Sequence, residues 1–132
     1  MLNAEYHLRV RYAETDKMGY VYYGNYAIYF EVARVELLRE NGITYKSIED
    51  SGFIMPVLEF KIKYFKPAYY DDALVIRSAV QLIGDTRLQF THQTYNAANV
   101  LINSGEVTLV NVDSRNGKPA KIAQSILQLF VQ

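Results

Sequence analysis

Cysteine and tryptophan are absent from these 132 residues, and proline appears only three times. Without cysteine the chain can form no disulfide, no thiolate nucleophile and no cysteine-held zinc or iron–sulfur cluster. The cytoplasm is the compartment this absence fits. An excess of charge is lacking too, because 14 basic residues meet 14 acidic ones. A balanced chain has no overall field to gather nucleic acid or an anionic membrane, so a small molecule or a protein is the expected partner. No apolar run approaches the roughly 20 residues of a membrane-crossing helix, and no integral membrane association is expected. The N-terminal MLNAEYHLRVRY is charged and alternating, unlike the apolar stretch of an export signal. Histidine is nearly missing: His7 and His92 stand apart, with no HxxxH, HExxH or GxSxG pattern around either. A metal site, a Ser/His/Asp triad and a glycine-rich phosphate loop are therefore all unexpected.

What the chain does have is apolar mass, 50% of its residues. A chain of this length buries roughly two-thirds of its unfolded surface, so residues 1–132 read as a single domain. No repeat, linker or low-complexity tract divides it. Tyrosine is abundant, with 12 copies beside 6 phenylalanines. Many lie between Tyr12 and Tyr70, where they either line a pocket with polar tips or simply pack.

Tyr6, Leu8, Val10 and Tyr12 alternate with His7, Arg9 and Arg11, the period of a strand with one buried face. A polar turn at 13–19 follows. The pair Gly24-Asn25 opens a helix, Asn25 being expected to cap it through its side-chain oxygen. Over Tyr26–Glu40 the residues Tyr26, Phe30, Ala33 and Leu37 form one stripe. Ile28, Tyr29, Val32, Val35 and Leu38 make much of the rest apolar, so this helix should be covered on more than one side. Asn41-Gly42 ends it, and 43–51 reads as a short second helix. Leu58, Phe60, Ile62 and Tyr64 then alternate with Glu59, Lys61 and Lys63 as a strand. Strands at 73–83, 87–95 and 100–113 follow, with Gly105 as a candidate bulge, before a terminal helix at 121–130. Short connections make the neighbours antiparallel. An α+β fold follows, an antiparallel sheet of about five strands wrapped around a long central helix.

With triads and metals excluded, carboxylate chemistry remains. Asp16 lies in A-E-T-D-K-M-G-Y-V-Y-Y-G-N-Y, just ahead of the helix start. A carboxylate there can serve as nucleophile or as general base on water, while free N–H groups at the helix N-terminus polarise a substrate carbonyl. Spacing alone equally allows an ordinary turn, since aspartate is a common turn residue. Glu14 is either a like-charge neighbour that raises the Asp16 pKa or a solvated turn residue. Glu31 is a rival carboxylate on the helix, with an ion pair to Arg34 or another cation as its expected role. Lys61, Lys63, Lys66 and Arg87 are the cations available for phosphates.

The run from Tyr12 through Gly19, then Val21-Tyr22-Tyr23-Gly24-Asn25-Tyr26, then Tyr29 through Arg34, closely resembles the hotdog-fold acyl-CoA thioesterases of the 4-hydroxybenzoyl-CoA thioesterase (4HBT) family. The YbgC-like branch is the nearest in pattern, and the similarity extends into Pro67-Ala68-Tyr69-Tyr70-Asp71-Asp72. The resemblance implies a hotdog fold and an acyl-CoA thioesterase that releases a free carboxylic acid and coenzyme A without metal or other cofactor. It implies Asp16 as the catalytic aspartate and the backbone N–H of Tyr23 as the oxyanion donor. Arg87 sits by a hairpin near where related thioesterases contact the nucleotide. The other candidate substrate contacts are Asn25, read first as a helix cap, Tyr26, which either lines the pocket or packs the core, and Lys66, which either meets a phosphate or is simply solvated. A homodimer or homotetramer with sheets joined edge to edge is also implied, and acyl carrier protein is an alternative carrier of the acyl group. A non-catalytic hotdog module that binds acyl chains is the competing reading. Many members of that branch carry histidine where this chain has Tyr23, a change that matters little if only the main-chain N–H is used.

Overall fold

The computed structural model describes residues 2–131, so the two end residues of the expected 1–132 domain lie outside the described residues. Alternation builds the first strand, β1, at Leu2–Arg9, with Leu2, Ala4, Tyr6 and Leu8 turned inward and His7 outward. It starts and stops earlier than the pattern predicts. The ladder to the next strand closes at Arg9, and the chain then tightens into a 3-10 turn at Tyr12–Glu14. Tyr12 therefore does not belong to the buried face: it is 77% exposed and lies edge-on to Tyr70.

Helix α1 occupies Asn25–Glu40, and its expected stripe of Tyr26, Phe30, Ala33 and Leu37 is buried, as are Tyr29 and Leu38. Each such large apolar side chain contributes about 1.5–3 kcal/mol on full burial. Coverage is not complete, since Ile28 is 57% exposed. A short helix, α2, at Tyr45–Asp50 leads into β2 at Phe53–Ile54 and β3 at Val57–Tyr64. Then come β4 at Ala73–Ile83, β5 at Arg87–Tyr95, β6 at Leu101–Val110 and β7 at Val112–Asp113. The main antiparallel sheet has the order β1-β4-β5-β6-β3, and β2 pairs with β7 in a small second sheet.

Three expectations change here. Strands β3 and β4 are consecutive in the chain but lie apart, because β3 pairs with β6 at the far edge. The segment 65–72 must cross the end of the sheet to connect them. The predicted strand at 100–113 breaks at buried Asn111, whose side-chain amide donates to the carbonyls of Ala120 and Lys121. The terminal helix shrinks to α3 at Gln124–Leu127 and a 3-10 turn, since Ile122 N–H bonds Asp85 O and keeps the preceding chain extended.

Gly105 is not a bulge. It stays in register between Ile62 and His92, and a Cβ there would meet the Phe30 ring at 2.6 Å and Lys61 O at 3.0 Å. The glycine lets the helix pack onto the sheet. Strand β3 forms one edge, and its apolar residues Leu58, Phe60 and Tyr64 remain exposed in the single chain. The alternation predicted the strand correctly, but this chain alone does not cover the face.

Candidate active site

Two residues of the 13–19 turn are aimed in opposite directions. Glu14 turns inward: its Oε1 accepts from Arg11 N–H at 2.8 Å and from the Tyr29 hydroxyl at 2.9 Å, while the Arg11 guanidinium reaches Oε2. Burial acts to raise its pKa, but these donors outweigh it and hold the carboxyl below its ordinary value. Glu14 is thus neither solvated nor set against Asp16. The Tyr29 phenol is pushed far up, by burial first and by its bond to Glu14 second, and remains a proton donor.

Asp16 turns outward. Its Oδ1 accepts from Met18 N–H at 2.9 Å and Tyr20 N–H at 3.3 Å. Gly19 makes that turn possible by adopting φ +84°, which other residues rarely take. The loop closes through Asp16 N–H to Tyr20 O and a bridge between Thr15 and Val21. Among the described residues, Asp16 Oδ2 has no hydrogen-bond partner.

The chain then runs straight into α1. Gly24 is the N-cap, and Asn25 is the first helical residue. Its side chain donates through Nδ2 to Glu14 O at 2.8 Å. Asn25 is therefore a tie between loop and helix, and not the oxygen cap expected. Among the described residues, the N–H groups of Tyr23 and Gly24 have no acceptor. Such groups at a helix N-terminus favour negative charge. The Tyr64 hydroxyl meets Tyr23 O at 3.4 Å and links the end of β3 to this point.

A cleft of about 310 Å³ opens between these parts, lined by Asp16, Tyr23, Tyr26, Tyr64, Lys66 and Pro67 among others. Four expected site residues therefore meet in one place: Asp16, Tyr23, Tyr26 and Lys66. Tyr26 is nearly buried, and its phenol is pushed up to about 12 by burial and then by Tyr64. Arg87 is elsewhere, in a depression with Leu58, Glu59, Ile83, Gln89 and Thr108. Asn25 does not line the cleft. Tyr64, Phe65 and Pro67 were missed as wall residues, since only the crossing from β3 to β4 brings them to the loop. No capping-box signature marked Glu14, because that motif has Ser or Thr three residues ahead of the glutamate and this chain has Arg11.

Glu31 is exposed, and Arg34 is buried with its Nε directed to the Tyr45 hydroxyl at 3.4 Å. The expected ion pair between them is not made. Behind the cleft a polar row crosses the inner face of the sheet. Ser78 Oγ and His92 Nδ1 are 2.6 Å apart, and Phe30 stacks on the His92 ring. His92, Thr94 and Asn103 are fully buried, and His92 Nε2, Thr94 Oγ1 and both Asn103 amide atoms lack partners of good geometry. The Asn103 amide comes close enough to Tyr26 to oppose the rise in its pKa, but the contact falls short of a formed hydrogen bond. Burial and then Arg34 lower the His92 pKa to about 3, so the ring is neutral near pH 7.

Among the described residues no cluster of His, Asp or Glu is arranged to hold a metal ion, and no helix is long and apolar enough to cross a membrane. A family model described as the thioesterase-like superfamily matches residues 10–130. The acyl-CoA thioester hydrolase YbgC of Escherichia coli O6:H1 is 34% identical over 125 residues, covering 95% of this chain and 93% of that protein. A DHNA-CoA thioesterase from Staphylococcus aureus superposes with a TM-score of 0.90 at 29% identity, over 99% of this chain and 88% of its own. A 1,4-dihydroxy-2-naphthoyl-CoA thioesterase from Synechocystis has a TM-score of 0.92 over 98% and 96%; at 20% identity it speaks for the fold alone.

Proposed function

Since this chain belongs to the thioesterase-like superfamily, we propose that it is an acyl-CoA thioester hydrolase whose reaction is run by Asp16 beneath the N-terminus of α1. It cleaves the thioester to a free carboxylic acid and coenzyme A. The observation that supports this most is the meeting at one cleft of Asp16 and Tyr23, the residue before the helix N-cap, whose N–H has no acceptor among the described residues. Asp16 Oδ2 either takes a proton from the attacking water or attacks the carbonyl carbon itself. Both routes place negative charge on the carbonyl oxygen, where the Tyr23 N–H, with Gly24 beside it, stabilises it. The thiolate of coenzyme A then leaves. In the first route it takes back the proton held by Asp16; in the second a water hydrolyses the mixed anhydride on Asp16, which frees the acid and restores the carboxylate. Because the donor is main chain, histidine or phenylalanine at position 23 should serve as well as tyrosine.

Tyr26 forms the wall against the acyl group. Lys66, exposed at the rim, suits a coenzyme A phosphate. Arg87 reaches the nucleotide only if the substrate extends along the sheet face, or crosses from another protomer. The unpaired, apolar edge of β3 supports pairing of two copies there, which removes an aggregation hazard. The reading takes residues 1–132 as one domain acting in the cytoplasm as a homodimer or homotetramer, with no cofactor beyond the coenzyme A of its substrate. Thiol release from short, long and aromatic acyl-CoA esters tests it. Hydrolysis of at least one, abolished by Asp16→Asn in a folded protein, is the expected result; no release from any would leave a binding module for acyl chains or acyl carrier protein.

A further inference from the structure

We propose that Glu14 is a positioning residue for this hydrolysis, bracing the Asp16 loop against the start of α1 so that carboxylate and oxyanion donors keep a set separation. The proposal rests on the reading of Asp16 as the catalytic carboxylate. Glu14 stands two residues before Asp16, and both of its ends are tied to the helix. Its main-chain oxygen accepts from Tyr22 N–H at 2.9 Å and from Asn25 Nδ2 at 2.8 Å. Those two donors flank Tyr23 and Gly24, whose N–H groups have no acceptor among the described residues and are the oxyanion donors of the proposed reaction. Its side chain accepts from the Tyr29 hydroxyl, a turn further along α1.

A turn-capping role alone does not account for this pattern. Closing the 3-10 turn needs only the bond from Arg11 N–H to Oε1. The bond to Tyr29 spans 15 residues and serves no turn; it joins the loop to the helix. The Arg11 guanidinium is the weakest member, because Arg11 is 79% exposed while Glu14 is 13% exposed. The phenol, by contrast, is buried and stays protonated. Rigid support of this kind matters because a reacting group displaced by about 1 Å can cost on the order of a hundredfold in rate.

The test compares Tyr29→Phe, Glu14→Ala and Glu14→Gln with wild type, using thiol release from a hydrolysed acyl-CoA and thermal unfolding of each protein. Tyr29→Phe removes one hydroxyl and keeps the ring, so it decides the matter even if Glu14→Ala fails to fold. Loss of the brace should lower kcat by about tenfold in Tyr29→Phe and more in Glu14→Ala, with KM changed less than about twofold. Glutamine keeps an acceptor for Arg11 and Tyr29 and should restore most of kcat. The double variant Glu14→Ala/Tyr29→Phe should be no slower than Glu14→Ala, since both remove one link. Unchanged kcat in folded Tyr29→Phe, or additive losses in the double variant, would overturn the proposal. Asp16→Asn run in parallel separates the two ideas. If it is inactive while Tyr29→Phe and Glu14→Ala are unimpaired, the brace alone fails; if it is fully active, the reading of Asp16 fails and takes the brace with it.

Discussion

The cleft around Asp16 and the polar row beneath Phe30 both collect polar side chains against α1, yet they differ in access to water. In the cleft, one carboxylate oxygen is held by loop amides and the other is open. In the row, Ser78, His92, Thr94 and Asn103 are sealed between sheet and helix, with four atoms unpartnered. Groups that must exchange protons with a substrate need the first setting. Groups in the second setting are frozen in their neutral form and act on stability. His92 illustrates the point: burial lowers its pKa to about 3 and keeps the ring neutral at neutral pH, although Phe30 links it to Tyr26 of the cleft wall.

The largest effect should come from Asp16→Asn, which keeps the shape of the cleft and removes its charge. Activity should fall by about 10²–10⁴-fold with the unfolding midpoint little changed, as steady-state thiol release and a melt would record. An equal loss of stability would make Asp16 a structural residue like those of the row. On the other side of the comparison, Gly105→Ala forces a methyl into Phe30 and the Lys61 carbonyl. It should destabilise by about 1–3 kcal/mol, seen as a lower urea midpoint. An unshifted midpoint would mean that α1 is not closely seated on the row.

His92 allows a finer test by pH. Its folded pKa is depressed below the unfolded value of 6.5, so unfolding takes up a proton in the window between 6.5 and about 3. Its contribution is complete above that window and is lost as pH falls through it, at up to about 1.4 kcal/mol per pH unit. Glu14, whose pKa is also lowered, joins in only below about its ordinary 4.5. Urea unfolding between pH 6.5 and 5 therefore isolates the histidine, and His92→Gln should flatten that slope. The smallest effect is expected at the rim, where Lys66→Ala should raise KM by about three- to tenfold without lowering kcat, and less so at high salt.

The helix and its face were legible because Tyr26, Phe30, Ala33 and Leu37 repeat at helical spacing and one sheet covers that stripe. The antiparallel pairing of β4, β5 and β6 followed from short turns. Asp16 could be picked out by its position before the helix and by the motif around it. Arg87 was not separable from Lys66 on the page of the sequence, since both are cations near turns, but they open onto different depressions. Tyr12 kept the alternation of the strand, yet a capping glutamate ended the ladder before it.

By itself, then, the sequence determined the long helix, most of the strands and the loop that sets Asp16 ahead of the helix, because periodicity and turn chemistry are local properties. Tertiary structure decided the rest. The crossing from β3 to β4 brought Tyr64, Lys66 and Pro67 to Asp16, and packing under α1 made His92 inert. It also turned Glu14 from an apparent surface acid into an anchor for Tyr29 and Asn25. These outcomes depend on which distant atoms come within a few ångströms and how much water remains between them, and neither is written in the spacing of residues along a chain.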